Sequence, residues 1–334
     1  MQEMFNISIN VNVSIPVIGD ESIMLVQPPD GFRFSKIALK DYTHKEEITD
    51  STGKLLSEYR FALHEDDVPY IVCLEMNDTR IVSHDKPANA IGFFNGTDFD
   101  NLISPIHEEI ENIIFKFFSM LHLFKEGEIA RKHSFYSYYT QAGICKVSRN
   151  IKSYIEDIVT LIRYPMKFFA EEIPEINSFL YTHDKSYMLL KPIVINELEF
   201  TYHNLDDATN YKNMVTPLEV LFLKNDYGDK KEMLSKRIAT FLGTTDAEMK
   251  SIYDKVKTIY RDRSEAVHEG EVGQITHSAL DELRELTRKI SKQYIYTIEQ
   301  KLSTNPSITF EEIKTELINS LKNIVTIKNN NNIW

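Results

Sequence analysis

From Phe5 to Val17 apolar and polar side chains alternate, with Ile7, Ile9, Val11 and Val13 forming the apolar set. A period of two sends successive residues to opposite faces, so this run predicts a strand with one buried face. Ile23–Val26, Tyr59–Leu63 and Tyr70–Leu74 are shorter apolar runs, also expected as strands. Pro28-Pro29-Asp30-Gly31, Asp50-Ser51-Thr52-Gly53 and Glu65-Asp66-Asp67 supply turns between them. Asn95-Gly96-Thr97-Asp98 is expected as the turn that closes this β-rich region.

Near Ser104 the period changes to 3.6. Ser104, Pro105, Glu108 and Glu109 read as a helix start, with a cap, a first-turn proline and acids at the positive dipole end. Ile106, Ile110, Ile113, Ile114, Phe117, Phe118, Leu121 and Phe124 make its apolar stripe, and Gly127 interrupts or ends it. Ser148–Leu161 predicts a second helix broken at Tyr164-Pro165, with a short helical piece at Phe168–Glu172. Further helices are expected over Leu189–Tyr202, from the Thr216 cap onward, and over Met233–Leu242, stopped by Gly243. Thr245 with Glu248 has capping-box spacing and opens a helix from Asp246 into the Arg263 region. Thr276–Leu302 is a long helix, and Thr309 with Glu312 caps a last one. Lys328–Asn332 is a polar, asparagine-rich tail, expected to fray.

The fold class that follows is α+β. A β-rich domain over residues 1–103 is expected to act as a sensor for a protein or ligand trigger. A helical domain follows over 104–327, and a polar tail over 328–334. The length of 334 residues suffices for two cores.

Composition narrows the function classes. A formal charge of −12 argues against a general nucleic-acid coat but not against one local cationic cleft. Residues 230–263 carry nine Lys/Arg against five Asp/Glu, which fits either such a cleft or a solvated helix face. Two distant cysteines, Cys73 and Cys145, suggest neither a disulfide framework nor zinc, and fit a reducing cytoplasm. No apolar run reaches membrane-spanning length, and Met1–Met4 lacks the basic leader of a signal peptide, so no membrane is expected.

The chemistry concentrates at Arg263-Ser264-Glu265-Ala266-Val267-His268. An arginine fork clamps phosphate oxygens, and an imidazole moves protons near neutral pH. Residues five apart on an ideal helix point about 140° apart. The pair therefore converges only at a kinked helix end, or with a second subunit supplying the other half. Arg261 lies seven residues from His268 and nearly on its face, and Lys257 one turn earlier is a second candidate for phosphate contact.

Three blocks extend this motif: Leu218-Glu219-Val220-Leu221-Phe222, Ser235–Gly243, and Tyr260–Gly270. Together, in this order, they resemble the ApeA-like branch of the HEPN superfamily over roughly residues 105–300. The resemblance implies a helical bundle that pairs as a homodimer, with the Arg…His motifs meeting at the interface. It also implies metal-independent cleavage of an RNA substrate without a cofactor, in phage defence or a toxin-like stress response. Carried over by position, Arg263, Ser264 and His268 take the catalytic places. The sequence departs from the pattern at Glu269, where glycine is usual, and in having Ser264 where asparagine or aspartate is commoner among nucleases. The alternative is a non-catalytic module of the same fold that binds RNA or a protein.

Other candidates carry less. His133, Tyr136, Tyr138 and Tyr139 form a stacking patch or part of the core. His107, His122, His203 and His277 show no metal-ligand spacing, and no metal is expected. Asp206-Asp207 reads as a loop or helix start.

Overall fold

A computed structural model describes residues 4–56, 63–64, 69–85, 96–142, 145–154, 165–203, 206–224, 228–268, 275–330 and 333–334. The protein is α+β and divides into two compact units, Met1–Leu180 and Tyr181–Trp334. The strand-to-helix change near residue 100 falls inside the first unit, because two later strands return to the sheet.

In the first unit, strands β1 (Phe5–Pro16), β2 (Phe32–Ala38), β3 (Leu63–His64), β4 (Tyr70–His84), β5 (His133–Ala142) and β6 (Cys145–Tyr154) form one sheet. All pairings are antiparallel, in the order β2-β4-β1-β5-β6, with β3 also paired to β4. Ile7, Ile9, Val11, Val13 and Ile15 of central strand β1 are all buried, as their alternation predicts. Each contributes roughly 1.5–3 kcal/mol through burial. A short helix α1 (Lys45–Ile48) follows β2, and helix α2 (Gly96–Phe124) precedes β5. His107 and Glu111 of α2 contact Tyr138 and Tyr136 of β5. Those tyrosines are the register partners of Val11 and Val13, so α2 covers the apolar face.

Four sequence expectations are corrected here. Residues 23–25 lie in a tight helical turn (Glu21–Leu25), with Val26 extended after it, and its start is capped where Ser22 N–H donates to the Asp20 carboxylate at 3.0 Å. Of the expected closing turn, residues 96–98 instead start α2, which begins at Gly96 and carries Pro105 inside it, and residue 95 lies outside the described residues. Residues 148–154 are strand, held by the ten-pair ladder between β5 and β6. Residues 155–161 of that expected helix, and 59–62 of an expected strand, lie outside the described residues. At the C-terminus the last helix runs through Asn330, and Trp334 packs on Ala239, Met249 and Tyr253.

Gly127 is fixed by two constraints at once. Its φ is +122°, and a Cβ there would lie 2.7 Å from the Met166 Cα. Backbone cannot swing aside as a side chain can. Gly127→Ala is therefore expected to destabilise the first unit by about 2–4 kcal/mol in denaturant melts, and a loss below about 1 kcal/mol would refute the constraint.

The second unit is helical. Helix α3 (Ile173–Thr182), which belongs to the first unit as far as Leu180, leads into α4 (Asp184–Leu190), which passes through a π turn at Lys191–Ile195 into α5 (Asn196–His203). Then come α6 (Asp207–Phe222), α7 (Lys230–Leu242), α8 (Asp246–His268), α9 (His277–Thr304) and α10 (Phe310–Asn330). Asp206 caps α6, accepting from Ala208 N–H and Thr209 N–H at 3.1 and 3.2 Å. The expected start at Thr216 is thus an interior position, with Pro217 inside the helix. Both predicted capping boxes form: Glu248 N–H donates to Thr245 Oγ1 at 3.2 Å, and Glu312 N–H to Thr309 Oγ1 at 3.3 Å. At Gly243 the chain turns from α7 into α8 so tightly that a Cβ would lie 2.7 Å from Met249 Cγ and 2.9 Å from Ala239 O. Among the described residues, no helix is long and apolar enough to cross a membrane.

Candidate functional site

Helix α8 carries the motif, and it runs unbroken through His268. Positions 263 and 268 therefore stand about 140° apart around one helix axis. The side chain of His268, and residues Glu269 and Gly270, lie outside the described residues.

Arg263 is anchored from α6. Its Nη1 lies 3.8 Å from Glu219 Oε1, with the two side chains 26% and 22% exposed. Tyr260, one turn earlier on α8, donates its hydroxyl to the same Glu219 oxygen at 2.9 Å. The Arg263 guanidinium carbon also stands 5.9 Å from the Tyr260 ring centre. Burial raises the Tyr260 phenol pKa, and the bond to Glu219 adds to it, so the hydroxyl stays protonated and donating. Arg263 Nε is buried and makes no hydrogen bond among the described residues. A buried donor without a partner costs about 1–3 kcal/mol unless something binds it. Ser264 beside it is half-buried.

The three sequence blocks meet physically. Glu219 of the first holds Tyr260 and Arg263 of the third. Arg237 of the second is buried and donates Nη1 to the Phe222 carbonyl of the first at 2.6 Å. The sequence alone assigns Glu219 no role; its contacts with α8 supply one.

The two cations expected to touch substrate have internal partners. Arg261, well exposed, donates to Asp262 at 3.0 Å and lies 3.7 Å from Glu265. Lys257 donates to the Tyr253 hydroxyl at 2.8 Å and lies 3.3 Å from Glu232. The basic segment 230–263 is thus interleaved with carboxylates: Lys236 pairs with Glu232, Lys250 with Asp254, and Lys255 with Glu282.

Glu232 is the hub of that network. Burial pushes its carboxyl pKa up, but bonds from Tyr253, Lys236 and Lys257 outweigh this and hold it at about 2. A depressed carboxylate stabilises the fold above its ordinary value near 4.5 and loses that contribution as pH falls toward 2. The melting temperature of wild type is expected to fall over that window more steeply than that of Glu232→Gln. Parallel acid limbs in the two proteins would contradict the assignment.

His277, which the sequence singles out only for its lack of metal-ligand spacing, has a structural role. His277, first residue of α9, sets Nδ1 3.1 Å from Asp207 Oδ2 and Nε2 3.5 Å from Asp281 Oδ2. Its i, i+4 spacing to Asp281 was the legible signal. Its buried Nε2 marks it as a pin between α6 and α9 rather than a group open to substrate. Of the expected stacking patch, Tyr136 and Tyr138 are core. Tyr139 lies on the opposite sheet face under Lys146, whose Nζ is 4.8 Å from the ring centre. Among the described residues no cluster of His, Cys, Asp or Glu could hold a metal ion.

The chain matches no protein-family model, no curated protein and no solved structure.

Proposed function

We propose that the helical unit is a HEPN-type, metal-independent endoribonuclease acting as a homodimer in the cytoplasm, in phage defence or a toxin-like stress response. The observation that carries the reading is the placement of Arg263, whose side chain stays about a quarter exposed, beside Glu219 and Tyr260 where the three sequence blocks meet. Such a guanidinium is preorganised for an anion, and no reorganisation is needed when charge develops.

In the proposed reaction a histidine imidazole removes the proton of the RNA 2′-hydroxyl. That oxygen attacks the adjacent phosphorus, and Arg263 stabilises the charge on the phosphorane. The 5′-oxygen leaves with a proton from an imidazolium, which gives a 2′,3′-cyclic phosphate and a 5′-hydroxyl. The 140° offset between positions 263 and 268 on an unbroken helix favours a site completed across a two-fold axis, with His268 from both subunits. Ser264 orients the phosphate or the imidazole, and Arg261 and Lys257 contribute phosphate contacts on exchanging their carboxylate partners.

One finding favours a second reading, a non-catalytic module that binds RNA or a protein: Arg261 and Arg263 both stand beside carboxylates. The test separates the two. Wild type and His268→Ala are incubated with total RNA in EDTA and the product ends analysed. Cleavage with cyclic-phosphate ends in wild type alone supports the nuclease. Equal cutting by both, or none by either, removes it. DNA lacks the 2′-hydroxyl and is expected to resist.

A further inference from the structure

We propose that the polar face of the N-terminal sheet is a binding site for a short neutral saccharide. The inference goes beyond the nuclease reading and rests on nothing in it, because the site lies wholly within the first unit.

On the face opposite α2 a cavity of about 600 Å³ opens between the sheet and the segment around residues 41–47. That is within the roughly 300–1,000 Å³ of small-ligand sites. Its floor is set by strand register. Asn77 of β4 pairs with Asn12 of β1, Asn12 with Ser137 of β5, and Ser137 with Asn150 of β6. Four adjacent strands thus present one row of three carboxamides and a hydroxyl. Ser14, two residues along β1, adds another hydroxyl, which donates to the Tyr42 hydroxyl at 3.4 Å and keeps its accepting side. The carboxamides of Asn12, Asn77 and Asn150 make no side-chain hydrogen bond among the described residues. Each offers two donors and an acceptor, the set that matches neighbouring sugar hydroxyls, which both donate and accept.

Charge and ring geometry choose the ligand class. The wall carries Asp41, Glu47 and Glu75, while Glu75 lies 3.7 Å from Arg33 and Glu47 3.7 Å from His44. Against these three carboxylates the lining holds, among the described residues, one lysine, Lys152, whose Nζ lies 5.8 Å from the Phe135 ring centre, so the cavity lacks the cationic field a nucleic-acid backbone requires. A base needs an open ring to stack on. Phe135 is only 4% exposed, with His44 stacked on it at 4.1 Å and 6° and Tyr42 edge-on. What is left is a rigid row of uncharged donors and acceptors over the middle of a sheet, which suits a polyhydroxylated ligand.

The experiment is saturation-transfer NMR on the full chain with glucose, galactose, mannose, N-acetylglucosamine, maltose, cellobiose, lactose and chitobiose, followed by calorimetry on any binder. At least one sugar is expected to bind. Asn12→Ala/Asn150→Ala is expected to weaken it about tenfold or more, with melting and RNA cleavage as in wild type. Asn150→Ala alone, at an exposed position, guards against misfolding and is expected to give a smaller loss in the same direction. The proposal is overturned if no sugar binds, if both variants bind as wild type does, or if adenosine binds the cavity and the sugars do not. Because cleavage is read separately, failure here leaves the nuclease test untouched, and the reverse holds.

Discussion

Replacing Arg131 with methionine is expected to destabilise the first unit by about 3 kcal/mol at neutral pH, and the loss should shrink as the pH falls. Arg131 is 9% exposed at its side chain and reaches Glu111 of α2 with Nη2 at 2.7 Å and Nη1 at 3.3 Å. Nη1 also donates to Ser134 Oγ at 2.7 Å, and the Tyr136 hydroxyl donates to Glu111. Removing one partner of a buried pair typically costs roughly 3–5 kcal/mol, because the other charge is stranded. Glu111 keeps 24% of its side chain exposed, which places it at the low end of that range.

The pH dependence gives the prediction its sign. Burial pushes the Glu111 carboxyl pKa up, but Arg131 outweighs it and holds the pKa below the ordinary value. In wild type, the contribution of this group is therefore present above the unfolded pKa and lost as pH falls through the folded one. In Arg131→Met burial acts unopposed by a cation, and the folded pKa rises above the unfolded value. The variant then gains stability relative to wild type as the solution is acidified. Urea melts at several pH values would show a narrowing gap. A gap that is constant, or that widens toward acid, would mean the pair is not what holds α2 to the sheet. Arg131→Met/Glu111→Gln should recover part of the loss, since no charge is left stranded.

What the sequence revealed follows from which interactions are local. Alternation in β1 and both capping boxes depend on neighbours along the chain, and each appears where the pattern puts it. The sequence places Pro105 and Pro217 in a first turn, yet α2 and α6 start nine and ten residues before them, at Gly96 and Asp207. An interior proline frees the carbonyl four residues back, and in both helices that residue, Asn101 or Asn213, is exposed and open to water. Tolerance of the proline is thus a tertiary fact. The sequence predicts helix from Ser148, where β6 lies, because Lys146, Ser148, Asn150 and Lys152 give the strand's outer face no apolar signal. Its ten-residue pairing with β5 decides the matter instead. At the candidate site the motif was legible as residue types. That Glu219, 44 positions upstream, supplies the anchor for Arg263 was not, because it depends on how α6 meets α8.

Arg263→Ala is expected to lower RNA cleavage by about 10²–10³-fold, the range seen when one preorganised charge-stabilising donor is removed. Its effect on folding should be far smaller. The contact with Glu219 is 3.8 Å, beyond hydrogen-bond length, and both side chains are about a quarter exposed. Pairs of that kind contribute about 0–1 kcal/mol. Glu219 also keeps the Tyr260 hydroxyl when Arg263 is gone. The two magnitudes are well separated, so melting curves and cleavage rates measured side by side distinguish a chemical role from a structural one. Arg263→Lys keeps the charge but loses the fork, and should fall between alanine and wild type. Glu219→Gln removes the counter-charge while its amide oxygen still accepts from Tyr260, so a change of less than about tenfold is expected if Glu219 only positions the guanidinium. If Arg263→Ala cuts RNA at the wild-type rate, or loses cleavage only in step with a collapse in stability, Arg263 is part of the packing between α6 and α8 and the catalytic assignment goes with it.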